Sequence, residues 1–317
     1  MCCLRLLYFK FMKIVVLEKI EFTVKQKQTL DSLGSVVFYD SSNESECKER
    51  VRGADVVVID WIDPNSFLSE MKNPSLLALM STGYSWIDIK RARNLGISVS
   101  NVPGYATEAV AEHIIGLMFA VARKTMVGDK EIKKGNKNKG YLQGIEIAGR
   151  KAGIIGLGRI GTRVAQILAC LGAEVSGYDI NSKNVAGVKN ASLEELLENS
   201  DFVFVTCSLN ESSKSLLAAD RLKLMKKDAI LLGTTWGVVD LAALIEILKN
   251  DLIYGAGFDV SIEAADIVLS KELTELDNVV LTPHIGYNTK EARKRQADIC
   301  ISNIEQYLMG KTSNIVN

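Results

Sequence analysis

Ala152-Gly153-Ile154-Ile155-Gly156-Leu157-Gly158-Arg159-Ile160-Gly161 runs an apolar strand straight into three glycines spaced G-x-G-x-x-G. Ile160–Leu171 then carries the apolar spacing of a helix and stops at Gly172. The glycine spacing alone is common, but between a buried strand and a helix start it has a physical purpose. Gly156 permits the tight turn, Gly158 lets a diphosphate approach the backbone, and Gly161 lets the helix pack close to the sheet. Backbone N–H groups of the first helical turn, around Arg159, Ile160 and Gly161, have no acceptor within the helix and would face that diphosphate.

Working outward, the next strand ends in Tyr178-Asp179, where an acidic side chain would accept both hydroxyls of an adenosine ribose. A 2′-phosphate would be repelled there, so NAD(H) is favoured over NADP(H), while Lys183, four residues on, keeps the second open. The series continues with strands expected at Phe202–Thr206, Ile230–Leu232, Gly255–Phe258 and Val279–Leu281. Upstream lie strands expected at Ile14–Leu17, Val36–Tyr39, Asp55–Ile59, Leu76–Met80 and Ile97–Ser100. Helical segments are expected near Val24–Leu33, Glu44–Arg52, Asn65–Met71 and Asp88–Asn94. Strands spaced by helices imply βαβ units and parallel sheets. The fold class is therefore α/β, with two Rossmann-like or flavodoxin-like doubly wound domains and a ligand cleft between them. A helix of about Thr107–Lys124 follows Pro103-Gly104, the basic stretch Lys130–Lys139 reads as a solvated loop, and Lys290–Leu308 is again helical.

Bulk properties agree with a large two-domain chain: 317 residues, 47% hydrophobic and 24% charged. Lys plus Arg balances Asp plus Glu at 38 each, which argues against a nucleic-acid surface or a polybasic membrane anchor. No apolar run is long enough to span a bilayer. The six cysteines show no C-x-x-C pair and no metal-like spacing with either histidine, so no metal site is expected and they read as reduced thiols of a cytoplasmic protein. Cys2-Cys3 could be read as a lipidation site, but residues 1–11 are better taken as an extension upstream of Met12, and as a poor signal peptide.

Three further blocks carry a resemblance. Ser81-Thr82-Gly83-Tyr84-Ser85-Trp86-Ile87-Asp88, the run from Asn101-Val102-Pro103-Gly104 to Glu112-His113, and Leu281-Thr282-Pro283-His284-Ile285-Gly286 together resemble the D-isomer-specific 2-hydroxyacid dehydrogenases. The likeness extends over nearly the whole chain from Met12. It implies an NAD-binding domain over 101–287, set into a flavodoxin-like substrate domain made of 12–100 and 288–317. It also implies a homodimer through the helix 107–124 and hydride transfer between nicotinamide and C2 of a small 2-oxo or 2-hydroxy acid.

His284 takes the place of that family's proton donor, a role suited to a group titrating near neutrality. Thr82, Gly83 and Tyr84 fall in its substrate loop. Cys207, Ser213, Thr234, Asp259, His284 and Gly286 fall at cofactor positions, with Asp259 expected at the nicotinamide amide. His113, on an apolar helix, is expected to pack or to form an interdomain hydrogen bond rather than to catalyse. Two positions depart from the family pattern. The glutamate that would hold the histidine protonated is Ala264 here, with Glu263 one residue early: a slip of the loop would restore Glu263, and a solvated carboxylate is the other reading. The arginine that grips the substrate carboxylate falls on Trp236 or Thr235 in a shortened loop, and Trp236 is therefore placed at the substrate. An indole offers one N–H and no charge in place of a bidentate guanidinium. That loss leaves three readings open: an NAD-dependent oxidoreductase whose substrate lacks the usual carboxylate or anchors it elsewhere, an ordinary 2-hydroxyacid dehydrogenase that works weakly, or a catalytically impaired NAD(H)-binding sensor or interaction protein.

Overall fold

A computed structural model of the chain describes residues 12–138, 140–181, 183–260 and 271–317. The chain divides into two units, one running to Ala106 and rejoined by Thr289–Asn317, the other being Thr107–Asn288.

In the first unit β1 (Lys13–Val16), β2 (Ser35–Phe38), β3 (Val56–Ile59), β4 (Ser75–Leu79) and β5 (Ile97–Ser100) form a parallel sheet of order β2-β1-β3-β4-β5. Every residue of β3 and β4 is buried, as near-continuous apolar runs covered on both faces require. Capping boxes start two of the helices: Thr23 with Gln26 opens Val24–Leu33, and Asn43 with Glu46 opens Glu44–Arg50. The terminal helix Lys290–Leu308 packs back on Val24–Leu33, where Gln26 Nε2 donates to Asp298 Oδ1 at 2.7 Å. The division between units falls after Ala106 rather than at Asn101, because the intervening backbone is tied to the first unit. Asn101 N donates to Asn314 O, Val102 N to Ser81 O, and Arg295 Nε to Tyr105 O.

Helix was expected over Asn65–Met71, but the chain forms two short 3₁₀ turns, Pro64–Ser66 and Leu68–Glu70. Phe67 leaves helical geometry between them (φ −125°, ψ 1°), and its ring and Leu68 are fully buried. Burial of two large side chains thus overrides local helical spacing.

The second unit holds β6 (Lys151–Ile155), β7 (Glu174–Tyr178), β8 (Lys189–Asn190), β9 (Phe202–Val205), β10 (Ile230–Gly233), β11 (Gly255–Asp259) and β12 (Val279–Thr282). All are parallel, in the order β12-β11-β10-β9-β6-β7-β8. The strand order reverses between β6 and β9, and open α/β sheets bind ligands outside the carboxyl ends of the strands at such a point. Leu196, Leu244 and Ile247 of the helices Leu193–Asn199 and Leu241–Lys249 cover one face. Ile114, Met118, Val164 and Leu168 of Thr107–Ala122 and Arg159–Cys170 cover the other.

The long helix ends at Ala122, Lys124 turns left-handed (φ 51°), and a second helix runs over Thr125–Lys133. That corrects the loop expected from Lys130: the first four of its residues are helical, supported by a Lys133–Asp129 pair, before Gly135 (φ 82°) stops the turn. No residue of this helix is buried, which is why its sequence reads as solvated.

Candidate functional site

The glycine turn leaves β6 and enters the helix Arg159–Cys170 with Gly156 at φ 97°. A Cβ on Gly156 would lie 2.5 Å from Cys207 N, and one on Gly161 would overlap Gly156 O. Beside Gly158 there is open space, nothing lying within 4 Å of where a Cβ would stand. No side chain caps the helix start at Gly158. A cradle of uncapped N–H groups, open only where the middle glycine stands, fits a diphosphate.

Asp179 follows β7. Its Oδ2 accepts from Leu157 N at 2.8 Å and from Lys183 Nζ at 3.0 Å, and its Oδ1 from Asn181 N at 3.0 Å. Burial alone would raise this carboxyl, but the two N–H groups and the Lys183 ammonium hold it below the ordinary value. Lys183, which the sequence leaves as a doubt over the ribose, therefore stands on the carboxylate itself. A cavity of about 210 Å³ joins Gly156, Gly158, Asp179, Cys207 and Ser213 at the carboxyl ends of β6, β7 and β9. Burial pushes the Cys207 thiol up, which suits a wall of this cavity and not a nucleophile. Ser213 donates to Ser208 O at 2.7 Å and accepts from Asn210 N at 2.8 Å, closing the loop that borders it. Thr206, read from the sequence only as the end of a strand, donates to Gly156 O at 2.8 Å and fixes the turn from the neighbouring strand.

Further along the same edge, Thr234 follows β10, Asp259 ends β11, and His284 and Gly286 follow β12. Asp259 is buried and accepts three hydrogen bonds: Thr282 Oγ1 at 2.6 Å and Ile285 N at 3.0 Å on Oδ1, and Gly286 N at 2.8 Å on Oδ2. The turn carrying His284 is thus fastened to β11 on both sides of the imidazole. His284 itself adopts φ 52°, a left-handed conformation costly for a residue with a Cβ, and its ring meets Tyr287 edge-on at 5.4 Å.

Trp236, expected among the substrate-binding residues, is packed into the core of the second unit. It is 7% exposed and lies against Phe258 with ring centroids 4.5 Å apart. Its Nε1 has no hydrogen-bond partner among the described residues. Glu263 and Ala264 lie outside the described residues. In the first unit, Thr82 donates to Val102 O at 2.9 Å while its own carbonyl accepts from Asn101 Nδ2 at 2.7 Å, so this loop is held at the end of β4 with Tyr84 exposed. Among the described residues there is no group of three His, Cys, Asp or Glu able to hold a metal ion, and no helix long and apolar enough to cross a membrane.

Residues 115–286 match the family model described as D-isomer specific 2-hydroxyacid dehydrogenase, NAD binding domain. The chain is 33% identical over 291 residues to a glycerate dehydrogenase of Methylorubrum extorquens, covering 88% of this chain and 90% of the relative. It is 37% identical over 278 residues to a glyoxylate reductase of Pyrococcus furiosus, covering 83% and 82%. Among solved structures it resembles an acyclic imino acid reductase in complex with NADPH and D-Arg, with TM-score 0.85, 30% identity and coverage of 96% and 100%. It also resembles the D-lactate dehydrogenase of Escherichia coli, with TM-score 0.84, 28% identity and the same coverage.

Proposed function

Because the chain belongs to the D-isomer specific 2-hydroxyacid dehydrogenases, we propose that it reduces a small 2-oxo acid or a related carbonyl with NADH. The observation that carries this reading is the fastening of the His284 turn by Asp259, on the same sheet edge as the diphosphate cradle. A protein that only bound a dinucleotide would have no need of an imidazole held in a strained backbone on that sheet edge.

When bound, the nicotinamide supplies the hydride. His284 delivers the proton to the carbonyl oxygen, and Glu263 is the candidate for keeping it protonated. Thr82, Gly83 and Tyr84 are the substrate contacts of the first unit, where backbone N–H groups of a glycine-containing loop suit a carboxylate. Trp236 is not one of the contacts in this reading, since its ring fills the core. The substrate carboxylate is therefore gripped without the family's arginine at this loop, or the substrate has none. We place NAD(H) above NADP(H) because of Asp179, and we place the protein in the cytoplasm as a homodimer through the helix 107–124, on which Phe119 stands exposed. A non-catalytic NAD(H) sensor is the second reading, favoured by the core placement of Trp236.

NADH oxidation followed with glyoxylate, hydroxypyruvate, pyruvate and neutral aldehydes and ketones separates them. Turnover that disappears in His284→Ala while NADH binding persists supports the enzyme. Tight NADH binding with no turnover of any of these carbonyls would leave the sensor.

A further inference from the structure

His113 stands on the helix Thr107–Ala122, far in sequence from the turn that carries the other histidine, yet its Nε2 lies 2.8 Å from Thr282 Oγ1. The direction of that bond follows from its neighbours. Thr282 Oγ1 is 2.6 Å from Asp259 Oδ1, and that oxygen already accepts Ile285 N, so the single hydroxyl proton points at the carboxylate. The lone pairs of Thr282 are left for His113, which must donate through Nε2–H; this fixes its tautomer. Asp259 Oδ1 is only 3.7 Å from His113 Nε2, so the donor also faces the negative charge. The imidazole edge closes on the turn as well: a Cβ at Gly286 would meet His113 Cδ2 at 3.3 Å and Asp259 Oδ2 at 2.9 Å. Gly286 is thus fixed from two sides, by a carboxylate it donates to and by the ring of His113.

We propose that His113 is a positioning residue for His284. The chain His113–Thr282–Asp259 locks the two ends of the 282–286 turn to the long helix, and so holds the imidazole of His284 in its left-handed backbone. This rests on the reading of His284 as the proton donor.

The chain has two histidines, so a selectively ¹⁵N-histidine-labelled protein gives two imidazole spin systems, each with its own Nδ1 and Nε2. His113 is expected as the Nε2–H tautomer. In His113→Leu, and separately in Thr282→Val, the His284 signal is expected to shift and broaden. Turnover number is expected to fall about tenfold while NADH affinity stays within about twofold. His113→Gln, whose amide can donate from nearly the same point, is expected to restore most of both. The opposite tautomer, or a His284 signal unchanged in Thr282→Val and His113→Leu, overturns the proposal. Should His113→Leu fail to fold, Thr282→Val and His113→Gln still decide it. Should the native protein turn over no carbonyl, the enzyme reading fails, while the His284 spectra judge the positioning independently.

Discussion

Two turns leave the same parallel sheet with one strand, β9, between them and are built on opposite principles. The turn after β6 is defined by missing side chains: Gly156 and Gly161 sit where a Cβ would strike backbone, and Gly158 where it would fill a cradle. The turn after β10 is defined by a side chain, since Trp236 closes the core against Phe258 and Gly237 (φ 80°) turns the chain away. A backbone requirement leaves little choice of residue. A side-chain requirement can be met in more than one way, or exchanged for packing. The glycine turn is therefore constrained by backbone geometry, whereas the loop after β10 is free to change.

The largest test of this contrast lies at Trp236. Truncation to Ala empties a large volume in the core and is expected to cost about 3–5 kcal/mol, or a fall of roughly 10 °C in melting temperature for a domain of this size. Trp236→Arg is expected to destabilise at least as much and to leave glyoxylate turnover no higher, because a guanidinium in that apolar pocket loses its hydration. Stable Trp236→Arg protein with raised glyoxylate activity would show that this loop still opens toward substrate. Next in size is the glycine turn. Gly161→Ala forces Gly156 O aside and is expected to weaken NADH by about 100-fold or more in a fluorescence titration. Gly187→Ala, at φ 78° with open space around it, is expected to cost about 1 kcal/mol of stability and no NADH affinity.

The same contrast explains what could be read without coordinates. Strand, glycines and helix over Ala152–Gly172 were legible because local spacing and backbone freedom determine them together. So was Asp179, whose place is set by the end of the next strand. The two-residue strand β8 was missed, since Lys189-Asn190 carries no apolar pattern and pairs only with β7. The family pattern places Trp236 on the loop after β10 but does not choose between core and opening; the ring packs against Phe258. His113 is expected to pack or to form an interdomain hydrogen bond; its partner Thr282 belongs to the same unit and lies 169 positions away, where no local pattern reaches. Thr282 directly precedes Pro283 and His284, and a hydroxyl at the end of the strand before that histidine is the signal available in sequence.

The smallest effects are expected at Asp179, where the two principles meet: a side chain read from sequence, but held by backbone. Asp179→Ala removes an acceptor that is ionised and held by two N–H groups, and is expected to weaken NADH about tenfold. Because those donors lower its folded pKa beneath the ordinary 3.8, the carboxylate stays charged across the working range. Its contribution is present above pH 3.8 and is lost only as pH falls through the lower folded value, so Asp179 itself leaves NADH affinity flat between pH 5 and 8 by titration. Lys183 sharpens the point. Its ammonium offsets the charge that would repel a 2′-phosphate, so Lys183→Ala is expected to lower NADPH affinity about threefold to tenfold and to leave NADH nearly unchanged. Equal losses for the two cofactors would mean that Lys183 only braces Leu157 and Asp179, and that the carboxylate alone sets the preference.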